Sequence, residues 1–258
     1  MPDPIRVSVE DRVMRLAFAR PEKKNAITNA MYGTLTQALL TAERDPEIRV
    51  VMFEADGDAF TAGNDIGDFA AIAAGRTPAA EMHAHGFLKA LATAEKPYVA
   101  AVQGLAVGIG TTLLMHCDLV YVAEDAKLTT PFVNLALVPE AGSSWLIPAR
   151  IGHARAFAMF ALGEAVDGRT AASLGLANAA LPAAQVKDKA LEAARSLAQR
   201  PAGAVRATKQ LMRDAAHLSA VMTREMDIFT ERLRSAEAAE AFRAFAERRA
   251  PDFTKLEK

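Results

Sequence analysis

Apolar and polar residues alternate over residues 5–10 and again over 13–19, and Asp11-Arg12 separates the two runs. A period of two with a two-residue break predicts a β-hairpin. The segment Arg20-Pro21-Glu22-Lys23-Lys24-Asn25 is polar and reads as a loop. Thr28 then stands where a helix running to about Glu43 needs a cap. Residues 50–54 read as a buried strand, followed by the turn Asp56-Gly57-Asp58. Residues 98–102 are β-rich, 104–110 form a glycine-rich turn, 111–117 an apolar helix, and 119–123 a further strand. Strands and helices interleaved with long connections predict an α/β fold.

From about Pro182 the pattern changes to Ala, Arg, Glu and Leu at helical spacing. Pro201-Ala202-Gly203 separates two of these helices, and Ser235 stands where it can cap the last. The chain therefore divides into a core region, 1–200, and a helical region, 201–258. The Ala-rich stretches 70–74 and 236–241 read as helix.

Composition narrows the function. Lys and Arg total 30 and Asp and Glu total 31, a balance with no general attraction to nucleic acid or an anionic membrane. A local basic patch for a small anion is still compatible with it. Cys117 is the single cysteine, so no intrachain disulfide forms. The longest apolar run, 98–119, is interrupted by Gly104, Gly108, Gly110, Gln103 and His116, so no membrane span is expected. The first residues carry no signal-type apolar stretch and the last three no peroxisomal tripeptide, so a cytoplasmic location is expected.

Two glycine-containing loops carry the candidate chemistry. In Phe60-Thr61-Ala62-Gly63-Asn64-Asp65-Ile66, the small residues let a ligand approach the backbone, and a helix start beyond would point free N–H groups at it. Gly104-Leu105-Ala106-Val107-Gly108-Ile109-Gly110 has the same design. It is neither a Walker A loop nor a dinucleotide fingerprint, because the Lys-Ser/Thr pair and the third glycine are missing. Such loops suit an oxygen that becomes negative during reaction, or else tight helix–strand packing.

FTAGNDI at 60–66 resembles the FxxGxDI motif of the crotonase, or enoyl-CoA hydratase/isomerase, superfamily. KPYVAAVQGLAVGIGTTLLMHCDLVYVAEDAKL at 96–128 resembles the second family signature. RPEKKNAIT at 20–28 resembles the loop that runs beside CoA, and FRAFAERRAPDF at 242–253 the C-terminal helix and tail. The resemblance implies a crotonase-type spiral of ββα units with a C-terminal helical part used in trimer formation, as a homotrimer or dimer of trimers. It implies an acyl-CoA substrate, with the thioester oxygen held by the backbone N–H groups of Asn64 and Ile109. Lys24, Ala62, Gly63, Asn64, Asp65, Ile66 and Gly108 would line the CoA or its acyl arm. No cofactor is implied beyond the CoA of the substrate, and no metal.

The two glutamates of the hydratases map onto Thr112 and Phe132. Neither is a carboxylate, so the two-glutamate hydration route is not expected. TPFVNLALVPEAGSS at 130–144 instead resembles the peroxisomal-type Δ3,Δ2-enoyl-CoA isomerases, whose catalytic acid/base maps onto Glu140. The GND and GIGTTLL variants resemble the isomerase forms of their motifs. The resemblance implies movement of a double bond from C3 to C2, with Phe132, Leu135, Leu137 and Trp145 as an apolar wall. A hydratase, another crotonase-type reaction, or a member that binds CoA or RNA without turnover are the alternatives.

Other polar residues read as structural. Asp65 is expected to brace its loop through backbone N–H bonds. His83 and His85, two apart, face different sides of a helix and make no metal site. His116 reads as a satisfied core histidine, Cys117 as a small buried residue and Asp118 as a turn acceptor. Arg248-Arg249 is either a solvated face or lies near the CoA phosphates.

Overall fold

The computed structural model describes residues 3–68 and 82–254, and the Ala-rich stretch 70–74 falls outside them. The strands β1 (Ile5–Glu10) and β2 (Val13–Phe18) pair antiparallel, with Glu10 opposite Val13. Asp11 and Arg12 adopt φ of 50° and 64°, the left-handed pair that a two-residue hairpin turn demands. Helix α1 (Asn29–Arg44) begins where Thr28 Oγ1 accepts the Met31 N–H at 3.3 Å. Its buried face is Met31, Leu35, Leu39 and Ala42, spaced three and four apart.

Strand β3 (Val50–Ala55) is buried along its whole length, as an internal parallel strand covered on both faces should be. Its one charged residue, Glu54, is matched on β2 by Arg15, whose Nη2 donates to it at 2.9 Å. Next come α2 (Ala84–Ala92), β4 (Tyr98–Val102), β5 (Leu105–Val107), α3 (Ile109–Thr112), β6 (Leu119–Ala123) and β7 (Lys127–Thr129). They are followed by α4 (Ser143–Ile151), α5 (His153–Phe157), β8 (Val166–Asp167), α6 (Gly168–Leu174) and β9 (Ala179–Leu181).

One sheet has the order β1-β2-β3-β4-β6-β9, parallel from β2 onward. The other is β5-β7-β8. From β4 to β7 successive strands alternate between the two sheets, which winds the chain into a spiral. Two single bridges, Ile27 with Asn64 and Thr61 with Ala106, bring the loops after β2 and β3 to the second sheet.

The helix expected over 111–117 is shorter and starts earlier. A single α-helical turn from Ile109 is followed by a 3₁₀ turn, Leu113–His116. The tighter turn uses up the chain quickly enough for β6 to begin at Leu119.

The expected C-terminal helices form as α7 (Ala183–Ala198), α8 (Ala202–Met212), α9 (Ala215–Leu233) and α10 (Ala236–Ala246), the last capped by Ser235. α7 packs on β3, β4 and β6. Leu218, Met222, Leu233 and Ala238 share one buried cluster with β2, β3 and β4. The change of composition near Pro182 is therefore a change from sheet to helix within a common core. No helix among the described residues is long and apolar enough to cross a membrane.

Candidate active site

The loop after β3 is organised by a buried asparagine. Asn25 accepts the Arg20 N–H and donates to the carbonyls of Asp56 and Ala59, each at 2.8 Å. Asn25→Ala would leave these groups without partners in a site closed to water. It is expected to lower unfolding free energy by about 2–4 kcal/mol in urea titration. A loss below about 1 kcal/mol would show that water or a shifted backbone replaces the amide.

Beyond it, Ile27 N–H donates to Gly63 O and Asp65 N–H to Ile27 O. Gly63 has φ +85°, and a Cβ there would sit 2.8 Å from Val107 O. Only glycine lets the two loops approach so closely. Asp65 accepts the Gly67 N–H at 3.0 Å and Arg20 Nη1 at 2.7 Å. Burial works to raise its carboxyl, but the Arg20 and backbone bonds outweigh it and hold the group below the usual carboxylate range. Asp65 thus braces the loop in the way its position predicts, with Arg20 as a partner that spacing did not reveal. Lys24 directs its ammonium to Asp58 at 2.5 Å, on the exposed side of the same loop.

The second loop turns at Gly108, with φ 55° and ψ −118°. Its N–H donates to Thr129 O, and its carbonyl receives the N–H groups of Thr111 and Thr112. Among the described residues, the backbone N–H groups of Asn64 and Ile109 donate to no acceptor. Both sit where a loop ends, one beside Gly63 and one at the first position of α3, where a helical N–H has no partner within its helix.

A cavity of about 460 Å³ opens between the loops. Ala62, Gly63, Asn64 and Ile66 line it from the first loop, and Gly108 from the second. Phe132, Leu135 and Leu137 form an apolar side. Trp145 does not join them, which corrects the expectation. It lies on α4 with 41% of its surface exposed, its ring 4.7 Å from that of His217. The Ala141-Gly142 turn, with φ 58° and 71°, redirects the chain between Leu137 and α4. In place of Trp145 the C-terminal helices supply Phe229 and Phe245, and the turn after α10 supplies Arg249. Arg249 is held by Glu240, with Nη1 to Oε1 at 2.6 Å. No spacing rule links those residues to the glycine loops, so the sequence carried no signal for them beyond the C-terminal resemblance.

Glu140 is 7% exposed and is not among the residues that line this cavity. Thr112 Oγ1 donates to its Oε1 at 2.5 Å. Thr112 is three residues after Ile109 on α3, so the two share a face of that turn. Tyr32 donates from its hydroxyl to Asn64 Oδ1 at 2.7 Å. Glu140 is therefore tied to the second loop through Thr112, and Tyr32, whose phenol feels the Glu140 charge, bonds to the first. Burial pushes its pKa up to about 8, the Thr112 hydroxyl opposes this, and the charge of Glu225 adds to it. Burial likewise raises the Tyr32 phenol, which stays a neutral donor.

A carboxyl that titrates higher in the folded chain than its ordinary 4.5 binds its proton more tightly when folded. The resulting stability is fully present below pH 4.5 and is lost as pH rises through about 8. Glu140→Gln, which cannot ionise, is expected to melt above the wild type at about pH 9, with the gap closing toward about pH 5. A gap independent of pH, measured by calorimetry, would contradict a desolvated Glu140.

The family model for enoyl-CoA hydratase/isomerase matches residues 8–256. Enoyl-CoA delta isomerase 2 of Rattus norvegicus is 33% identical over 250 residues, covering 95% of this chain and 64% of that protein. A probable enoyl-CoA hydratase of Rhodobacter capsulatus is 32% identical over 252 residues, covering 97% of each. The structure of Pseudomonas aeruginosa OdaA superposes with a TM-score of 0.89 at 46% identity, covering 94% of this chain and 98% of that one. With a match over almost its full length and the same fold, the chain belongs to the enoyl-CoA hydratase/isomerase family.

Proposed function

We propose that this protein moves a double bond from C3 to C2 of an enoyl-CoA, with Glu140 as the acid/base. The names of its relatives divide between isomerase and hydratase, so the reading rests on the site. The observation that carries it is a buried carboxyl bonded to the second glycine loop through Thr112, with Thr112 and Phe132 at the positions that match the two glutamates of the hydratases.

In this reading the thioester oxygen accepts the N–H groups of Asn64 and Ile109. That polarisation acidifies C2. The Glu140 carboxylate takes a proton from C2, the electrons delocalise into a dienolate whose oxygen the two amides stabilise, and Glu140 returns the proton at C4. The C3–C4 double bond is thereby replaced by C2–C3, and no net proton or electron is gained. Phe132, Leu135 and Leu137 keep water from the dienolate. Lys24 and the 62–66 loop border the CoA arm. The reaction needs no cofactor apart from the CoA of the substrate. Trimers, or dimers of trimers, are expected to form through the helices after residue 201, and light scattering would measure them.

The test is incubation with a 3-enoyl-CoA, followed by ultraviolet absorbance of the conjugated 2-enoyl thioester. Rapid hydration of crotonyl-CoA without isomerisation would replace this reading with a hydratase. Tight acyl-CoA binding without turnover would replace it with a silent binder.

A further inference from the structure

The turn that carries Glu140 is held from two sides at a single peptide unit. His116 Nε2 lies 2.7 Å from Ala141 O. The Gly142 N–H, at the other end of the same peptide, donates to Glu225 Oε2 at 2.6 Å, and Ser144 N–H donates to Glu225 Oε1 at 2.9 Å. The His116 and Gly142 contacts are secluded, with His116 1%, Ala141 1% and Glu225 6% exposed.

Geometry assigns the histidine tautomer. A carbonyl can only accept, so Nε2 carries the proton. Arg213 Nη2 can only donate, so Nδ1, 2.6 Å away, carries none. A second proton on the ring would face the guanidinium. Burial, the charge of Arg213 and those of Arg150 and Lys209 beyond it hold the ring pKa down to about 3, against the Ala141 bond. Arg213 is itself anchored on Leu91 O at 2.9 Å. The donor to Ala141 is thus a neutral ring fixed by the end of α2.

The turn needs holding. Ala141 has φ 58°, a left-handed conformation that costs a residue with a Cβ about 1–2 kcal/mol. Released, the peptide would relax and swing the adjoining Glu140 side chain.

The geometry points to His116 and Glu225 as positioning residues that clamp the Ala141–Gly142 peptide and so aim the Glu140 carboxyl at the acyl chain. This rests on the reading of Glu140 as acid/base. Neither residue touches substrate. Glu225 has a second consequence, because its charge acts on Glu140, to which Thr112 bonds and whose own charge acts on Tyr32. Its negative charge disfavours the ionised form of Glu140 and so makes it a stronger base.

Glu225→Gln keeps the shape but offers one acceptor oxygen for two N–H groups and removes the charge. Expected for 3-enoyl-CoA isomerisation are a kcat lower by roughly 10- to 100-fold and a KM changed by less than about threefold. The rising limb of kcat/KM against pH should move to lower pH, a shift that general loosening of the fold would not produce. At His116, glutamine can still donate to Ala141 O and leucine cannot. His116→Gln is therefore expected to retain most of the kcat that His116→Leu loses. Equal kcat in those two variants, or a Glu225→Gln enzyme with wild-type kcat and an unmoved pH limb, overturns the clamp. Should Glu225→Gln fail to fold, the His116 pair decides alone. Glu140→Gln is run alongside. Wild-type turnover there removes the acid/base reading itself, whereas an inactive Glu140→Gln with indifferent clamp variants removes only the clamp.

Discussion

Glu140→Gln is expected to slow 3-enoyl-CoA isomerisation by about 10²- to 10⁴-fold, the usual worth of a positioned acid/base. The amide keeps the volume and can still accept from Thr112, so acyl-CoA affinity should hold. The loss should appear in kcat and kcat/KM together, because the missing interaction is made only along the reaction path. Wild-type kcat/KM should rise with pH toward a plateau above about 8, where the carboxyl loses its proton. The variant should show no such limb. Turnover near that of the wild type would sink the assignment, since Thr112 and Phe132 cannot take the proton in its place.

Gly108→Ala is the second change with a large expected effect, and it tests the amide rather than the acid. Space is not the obstacle, because an added Cβ would meet only Phe132 Cε1 at an ordinary 3.9 Å. The backbone is the obstacle. With φ 55° and ψ −118° the residue occupies a region that a side chain forbids. The alanine would rotate the peptide that carries the Ile109 N–H. Losing one such donor typically costs about 2.7–4 kcal/mol, or 10²- to 10³-fold in kcat. Folding stability should fall by only about 1–3 kcal/mol, the scale of local strain. Single-turnover kinetics on protein shown by circular dichroism to be folded would separate the two effects. Chemistry within about threefold of wild type would mean that Ile109 N–H does not hold the developing charge.

The parts of this protein legible in the sequence are those set by neighbours along the chain. Asp11-Arg12 between two alternating runs makes a tight hairpin because its two residues can take left-handed φ. Thr28 and Ser235 cap helices because a side-chain oxygen reaches an N–H three residues on. Gly63 and Gly108 mark the places where the backbone takes conformations closed to other residues. The family motifs lie on these same segments, which is why Asn64, Ile109 and Glu140 could be named without coordinates.

Trp145 shows where such reasoning stops. Its place five residues after Glu140 suited a pocket wall, but the left-handed Ala141-Gly142 turn sends it to the surface beside His217. Phe229, Phe245 and Arg249, which also line the cavity, come from the C-terminal helices and the turn after them, distant in sequence. Glu225 and His116 were unremarkable residues in helical patterns, and their meaning arises only when both reach one peptide.

The glycine-bordered loops with their two unengaged amides were thus determined by the sequence itself, because backbone conformation is a local property. The reactivity available to Glu140 was decided by the tertiary structure alone. A carboxyl's proton affinity depends on how much water surrounds it and on its bonds and nearby charges, and here burial, the Thr112 hydroxyl and the charge of Glu225, drawn together from separate elements, set it.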